Sequence, residues 1–152
     1  MMTKDQFVQE IEAHTGVMYR VAFTILRNDE DCKDAMSDAT LKAWEKRNSL
    51  RDITRFRAWM IRIVTNTSYN QLRKRKRTVS IDEIAEPAIP PPEPFLDMAI
   101  QSLPEKLRLP LMLFYSEGMQ YSEIADAMHL PLSTIRGRIH MAKARLRKEL
   151  EE

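Results

Sequence analysis

The sequence predicts an all-α protein of two small helical domains joined by an acidic, proline-rich linker. Apolar residues recur every three or four positions along most of the 152 residues, as one buried helix face requires. No stretch shows the sustained apolar and polar alternation of a half-buried strand. The run 87–94 holds five prolines, which lack the N–H that a helix interior needs. We therefore predict domains at 1–77 and 96–152, with 78–95 as a spacer rather than a proline-rich recognition motif.

Charge is strongly segregated along the chain, although the formal net charge is only +2. Residues 51–77 carry 9 basic and 1 acidic side chains, whereas 78–97 carry 5 acidic and none basic. A merely solvated face usually scatters both signs. A local excess of +8 is instead typical of a protein that binds a polyanion, and nucleic acid is the partner that it indicates.

Four helices are predicted in the first domain, at 5–13, 17–26, 31–46 and 55–77. Asn28 and Asp29 can end the second helix and cap the third. The segment 65–68 is expected to loosen the fourth helix, because Thr, Asn and Ser side chains compete for backbone hydrogen bonds. In the second domain, a helix is expected to open at 103–105, Pro110 to kink it or delay its regular start, and Gly118 to end it in the left-handed conformation.

The most specific motif is a predicted helix-turn-helix at 121–140. Ser122 can cap a short first helix, a turn follows at 129–131, and Ser133 can cap the second helix. In that second helix, Ile135, Ile139 and Leu146 share one side with Ala142, so this side points to the core. The opposite side and its basic rims form the candidate DNA contacts: Ser133, Thr134, Arg136, Gly137, Arg138, His140, Met141 and Lys143. An ordinary amphipathic hairpin with a basic surface is the plainer alternative.

The first domain carries a second candidate nucleic-acid site. Trp59 and Tyr69 flank the polar segment 65–68, and the cationic run 73–77 follows. Aromatic and amide groups beside a cationic run suit unpaired bases and their backbone. The alternative for Trp59 is ordinary core packing, because it lies at helical spacing from Phe56 and Ile63.

These motifs resemble a known family. Residues 19–22, 31–44 and 56–66 resemble domain two of the extracytoplasmic-function (ECF) sigma factors of bacterial RNA polymerase. Residues 103–106 through 144–146 resemble their domain four. The similarity covers nearly the whole chain in the family's order. It implies a transcription initiation factor that binds core polymerase and recognises the −10 and −35 promoter elements.

The resemblance also implies roles for particular residues. The third predicted helix would dock on the beta-prime clamp of the polymerase, through Asp31, Asp34, Ser37, Asp38, Leu41 and Trp44. The fourth would read and melt the −10 element, through Trp59, Arg62, Asn66, Thr67, Ser68, Asn70, Arg73, Lys74 and Arg75. The second helix of the helix-turn-helix would enter the major groove at the −35 element. The family further implies contact with the beta flap, a linker that threads towards the active-site cleft, and an anti-sigma factor.

Four positions depart from the family's pattern. The clamp helix usually has Gln where Ser37 stands and an aromatic residue where Thr40 stands. The turn of the helix-turn-helix usually has Gly where His129 stands, and the recognition helix often has Arg where Met141 stands. The expected clamp contact and the exact −35 sequence depend on these positions.

Other classes of function find little support in the sequence. The one cysteine, Cys32, excludes an intramolecular disulfide and a Cys-based zinc site. His14, His129 and His140 lack metal-ligand spacing, and no glycine loop could cradle phosphate. We expect no cofactor, no metal, no catalytic residue, no small-molecule substrate and no membrane insertion, and a cytoplasmic location. The runner-up is a helix-turn-helix repressor or activator that acts on palindromic sites without being a polymerase subunit.

Overall fold

The computed structural model describes residues 2–78, 88–90 and 93–151, with the side chains of 76–78 left out. Within these ranges the chain forms α-helices and two short 3₁₀-helices, and no residue lies in a strand. The all-α prediction is confirmed. The chain divides into two compact units between Ile89 and Pro90. Most of the predicted linker, at 79–87 and 91–92, lies outside the described residues.

Unit 1 is a bundle of three helices, α1 Lys4–Leu26, α2 Asp29–Glu45 and α3 Phe56–Thr78, which all pack against one another. Two 3₁₀-helices, Arg47–Ser49 and Ile53–Arg55, lie between α2 and α3. The core combines large apolar side chains of α1 and α3 with the small inner side of α2. Its fully buried members include Met18, Val21, Leu26, Cys32, Ala35, Ala39, Ala43, Met60, Ile61 and Val64.

One helix replaces the two that were predicted at 5–13 and 17–26. Gly16 lies inside α1, where glycine costs only about 1 kcal/mol relative to alanine. Burial of Val17, Met18 and Val21 outweighs that cost. A capping box at Thr3 and Gln6 starts the helix, and Arg27 ends it in the left-handed conformation.

The cap predicted at Asn28 is confirmed, since its side chain accepts the backbone N–H of Asp31. The expected loosening of α3 at 65–68 is wrong, because the helix runs unbroken through it. Thr65, Thr67 and Ser68 are buried between the packed helices, and their hydroxyls have no partner among the described residues. Tertiary packing therefore overrides the local preference of these residues.

Unit 2 contains four helices: α4 Pro94–Gln101, α5 Glu105–Tyr115, α6 Tyr121–Met128 and α7 Leu132–Glu151. Helix α4 was not predicted, and it begins at the last proline of the run 87–94. Proline suits the first position of a helix, because a backbone N–H at that position has no partner within the helix and its absence costs nothing. Pro110 does not delay the start of α5, which begins at Glu105 and continues through it. Gly118 has a φ of 63°, so its predicted left-handed conformation is confirmed.

Both predicted serine caps of the helix-turn-helix are wrong, because each helix starts earlier than expected. Gln120 precedes α6 and makes no side-chain cap, which leaves Ser122 inside the first turn. α7 begins at Leu132, and the N–H of Ile135 donates to the carbonyl of Pro131 at 3.2 Å. Within the described ranges, no helix has both the length and the apolar character needed to cross a bilayer.

Candidate nucleic-acid interface

The predicted rotation of α7 is confirmed. Ile135, Ile139 and Ala142 have no exposed surface, and Leu146 is nearly as deeply buried. α7 packs with this side on α5 and α6. Since helix positions advance by about 100° per residue, the opposite side must face outward. Its exposed members are Ser133, Arg136, Gly137, His140, Met141 and Ala144.

This outer side of α7 is suited to a groove of duplex DNA. Its centre consists of Ser133, Gly137 and Ala144, and an added Cβ at Gly137 would meet no atom within 4 Å. Arg136 is exposed on one edge, and Arg138 is half-buried on the other. Short groups let a helix approach base edges, while cations at the rim reach phosphates. Thr134 is half-buried at the N-terminal end of this surface.

The turn before α7 explains why glycine is favourable there. His129 ends α6 in the left-handed conformation, with a φ of 56° and a ψ of 46°. Its N–H donates to Asp126 at 3.3 Å, and the N–H of Leu130 donates to Ala125 at 3.1 Å. A side chain with a Cβ is strained in this conformation, whereas glycine adopts it freely.

Lys143 differs from the other candidate DNA contacts on α7. Its ammonium lies 4.4 Å from the centre of the Phe114 ring and donates a hydrogen bond of 3.4 Å to the Tyr121 hydroxyl. The rings of Tyr115 and Tyr121 lie 5.9 and 6.0 Å away. This side chain is therefore directed towards α5 and α6.

On α3, one exposed stripe brings together several of the residues assigned to the −10 element. Arg62, Asn66, Asn70 and Arg73 follow at spacings of four, four and three, and all are exposed. We call these four residues the α3 stripe. Arg73 donates to the side chain of Asn70, which holds both groups on this side of the helix. Lys74 is exposed beside the stripe.

The remaining −10 candidates are placed differently. Ser68 has no exposed surface and Thr67 only 3%, so neither side chain can touch a base in this conformation. Trp59 is half-buried, with its ring 5.6 Å from that of Phe56 and its Nε1 donating to Ser49 Oγ at 3.2 Å. Arg75 is directed into the bundle, where it pairs with Asp31 Oδ2 at 2.8 Å.

The residues assigned to the polymerase also separate into two groups. Asp34, Ser37, Asp38 and Leu41 are exposed on α2, and Leu41 is 63% exposed although it is apolar. We call these four residues the α2 face. Asp31 and Trp44 are half-buried and have partners within the unit. The Trp44 ring packs on Phe7 at 5.2 Å, and the Arg47 guanidinium lies 3.9 Å from its centre.

A groove of about 590 Å³ joins the α2 face to the α3 stripe. Asp34, Ser37 and Asp38 line one wall, and Asn70, Arg73 and Lys74 line the other. Lys42 also lies on the α2 wall, which therefore carries both signs of charge, whereas the charged groups of the α3 wall are all basic. The two surfaces that the sequence assigned to different partners are neighbours in the fold.

Sequence reasoning missed a contact within unit 1, between α1 and the chain beyond α3. The Tyr19 hydroxyl donates to Asp29 Oδ1 at 2.6 Å and accepts the N–H of Ala88 at 2.9 Å. Burial and the hydrogen bond to Asp29 raise the pKa of Tyr19 to about 12, and the same bond lowers the pKa of Asp29. Burial also raises the pKa of the Cys32 thiol to about 12. No spacing rule could have indicated the Tyr19 contact, since its partners are 10 and 69 residues away.

Comparisons with known proteins match both units to regions of sigma factors. The family model of sigma-70 region 2 matches residues 11–78, and that of sigma-70 region 4 matches 96–146. The ECF RNA polymerase sigma factor SigW of Bacillus subtilis is 22% identical, with 98% of this chain and 91% of that protein aligned. The RNA polymerase sigma-H factor of Pseudomonas aeruginosa is 32% identical, over 80% of this chain and 74% of its own length.

A solved structure also matches along the whole chain. The sigma factor RpoE from Bartonella quintana, in complex with the anti-sigma factor NepR, has a TM-score of 0.80 and 26% identity, with 98% of both chains covered. Sigma factors are transcription initiation factors and not enzymes. With both regions matched in order and close relatives in the family, this chain belongs to the ECF RNA polymerase sigma factors.

Proposed function

We propose that the two units of this sigma factor divide promoter recognition between them. In this proposal unit 2 reads the −35 element with α7, while unit 1 reads and melts the −10 element with α3 and docks on the polymerase clamp with α2. The observation that carries the proposal is the outer side of α7, which is exposed directly opposite a buried stripe. A separate repressor or activator is not favoured, because region 2 and region 4 are both present.

At the −35 element, the proposed contacts are the exposed groups of α7 and their half-buried neighbours Thr134 and Arg138. Met141 offers only apolar contact, for instance to a thymine methyl. Directional readout therefore depends on Thr134, Arg136 and His140. Arg136 is exposed, and the structure records no contact for it among the described residues, so its guanidinium is available to DNA.

At the −10 element, the α3 stripe offers two kinds of chemistry. Asn66 presents an amide, which can hydrogen-bond a base edge, whereas Arg62 and Arg73 present cations to phosphates. Lys74 adds a further exposed cation beside them. Trp59 stays in the proposed site as a half-buried ring near the start of the stripe. Thr67, Ser68 and Arg75 are no longer proposed as direct contacts.

The α2 face is the proposed docking surface for the beta-prime clamp. An exposed leucine among carboxylates supports a protein partner, because interface cores combine apolar anchors with a polar rim. Asp31 and Trp44 would support this surface from within the unit. Contact of unit 2 with the beta flap belongs to the same proposal. The expected path of the linker towards the active-site cleft falls mainly on 79–87 and 91–92, outside the described residues.

We also propose that an anti-sigma factor binds this chain in the cytoplasm. Support comes from the RpoE relative of Bartonella quintana, whose structure contains the anti-sigma factor NepR.

The proposal for α7 is tested by separating loss of contact from loss of fold. Arg136→Ala should weaken holoenzyme binding to a −35-dependent promoter by about 1–3 kcal/mol and should melt like the parent. Ile139→Ala should lose the same activity by unfolding unit 2, because truncating a fully buried isoleucine costs about 2–5 kcal/mol. If Arg136→Ala melts early while Ile139→Ala is harmless, the outer side of α7 is not the DNA-binding surface.

A further inference from the structure

Lys143 sits in a cluster of three aromatic rings that joins α7 to the two preceding helices. Phe114 and Tyr115 are the last two residues of α5, and Tyr121 is the first residue of α6. The Phe114 ring packs at 5.1 Å on Tyr115 and at 5.2 Å on Tyr121. The Lys143 ammonium lies over Phe114 and bonds the Tyr121 hydroxyl. One side chain of α7 thus contacts both α5 and α6.

Three other cations of α7 lack the aromatic contacts that Lys143 makes. Arg136, Arg145 and Arg147 are exposed, and the structure records no ion pair, hydrogen bond or ring contact for them among the described residues. Lys143 is half-buried, and it lies four residues after Ile139. At about 100° per residue it is therefore about 40° from Ile139, about 70° from the centre of the buried side, and about 120° from Gly137 on the outer side.

We propose that Lys143 is a positioning residue for −35 recognition and not a phosphate contact. The attraction of an ammonium for aromatic faces, together with the Tyr121 bond, holds the middle of α7 against α5 and α6. This contact fixes the rotation with which Arg136, Gly137 and His140 meet the groove. The inference rests on the proposed function of α7 and specifies how its orientation is set.

The two roles predict different responses to salt. A phosphate contact that is lost reduces the slope of log affinity against log salt by about 1. A positioning residue leaves that slope unchanged, since no counterion is released by it. Loss of orientation should instead reduce discrimination between promoters that differ only in the −35 element. Simple loss of folded protein would weaken binding to both promoters by the same factor.

The experiment uses the full chain assembled with core polymerase, and promoter pairs with an intact or scrambled −35 element. Lys143→Met keeps the length and apolar stem of the side chain but removes its charge. We expect it to bind the intact promoter about three- to tenfold more weakly, with lower discrimination and an unchanged salt slope. Lys143→Arg should restore both values, because a guanidinium also packs over aromatic rings. Arg145 is exposed seven residues after Arg138, on the same rim of α7, where a cation can reach phosphate. Arg145→Met is therefore the matched control, for which the salt slope should fall by about 1.

A second measurement does not depend on the variants folding. The Lys143 ammonium lies 4.4 Å from the centre of the Phe114 ring, so in the free wild-type chain the NMR signals of the adjoining ε-methylene protons should be shifted upfield by the ring current. Signals at the usual lysine position would overturn the proposal. A reduced salt slope for Lys143→Met, or no effect of that variant on binding and discrimination, would overturn it as well. If Arg136→Ala and Arg145→Met also leave promoter binding unchanged, the proposed role of α7 fails, whatever the NMR result.

Discussion

The ion pair of Arg75 and Asp31 joins the C-terminal part of α3 to the first turn of α2. Arg75 Nη1 lies 2.8 Å from Asp31 Oδ2 and 3.2 Å from the carbonyl of Leu26, the last residue of α1. Gln71 adds a hydrogen bond of 2.8 Å to the Asp31 carbonyl. These contacts tie together the C-terminal ends of α1 and α3 and the N-terminal end of α2.

We predict that Arg75→Met destabilises unit 1 by about 1 kcal/mol, because it removes a half-buried ion pair and a hydrogen bond to a backbone carbonyl. For a unit of this size the midpoint of thermal unfolding should fall by about 4–8 °C. Arg62→Met is the control on the same helix. Arg62 is exposed with no recorded contact among the described residues, so its variant should melt within about 0.5 kcal/mol of the parent. Equal melting of the two variants would refute the internal role of Arg75.

Single residues show where sequence reasoning reached its limit. Helical spacing correctly identified the buried set of α7, because burial follows directly from periodicity. The same pattern could not show which arginines are exposed and which form ion pairs within the fold. Arg73 and Arg75 are two positions apart in one basic run, yet one is exposed and the other is half-buried in an ion pair with Asp31. An ion pair across 44 residues depends on the tertiary fold, and no local rule predicts it.

The turn between α6 and α7 determines how the two helices of the DNA-binding motif meet. His129 adopts the left-handed conformation there, at a position where the sigma-factor family usually has glycine. We predict that His129→Gly stabilises unit 2 by about 0.5–1 kcal/mol, since relief of strain exceeds the added entropy of the unfolded chain. His129→Val should destabilise it, because a branched Cβ increases the strain. Thermal unfolding checks both, and a lower midpoint for the glycine variant would contradict the strain assigned to this turn.

Helix boundaries were predicted less well than helix existence, for identifiable reasons. The break predicted between 13 and 17 is absent, because the cost of the single glycine there, Gly16, is small against a long buried side. The prolines of 87–94 obscured α4, because only the last of them is compatible with the start of a helix. Ser122 and Ser133 have the sequence context of caps, but a serine in the first turn of a helix has the same local context.

Over the whole molecule, the segregation of charge agrees with the division of labour that we propose. The basic stretch 51–77 contains the α3 stripe, and the acidic stretch 78–97 follows it directly. Composition alone is therefore enough to predict a polyanion partner. It could not predict that the α2 face adjoins the α3 stripe across one groove, which depends on how α2 packs on α3.

The central claim is that this chain directs initiation as part of the polymerase. The most direct measurement is transcription in vitro by purified core RNA polymerase on promoter fragments with −10 and −35 elements, with and without the chain. We expect specific transcripts only when both are present, and poor binding of promoter duplex by the chain alone. Tight, specific binding of the isolated chain to a palindromic site, without any stimulation of initiation by core polymerase, would contradict the claim.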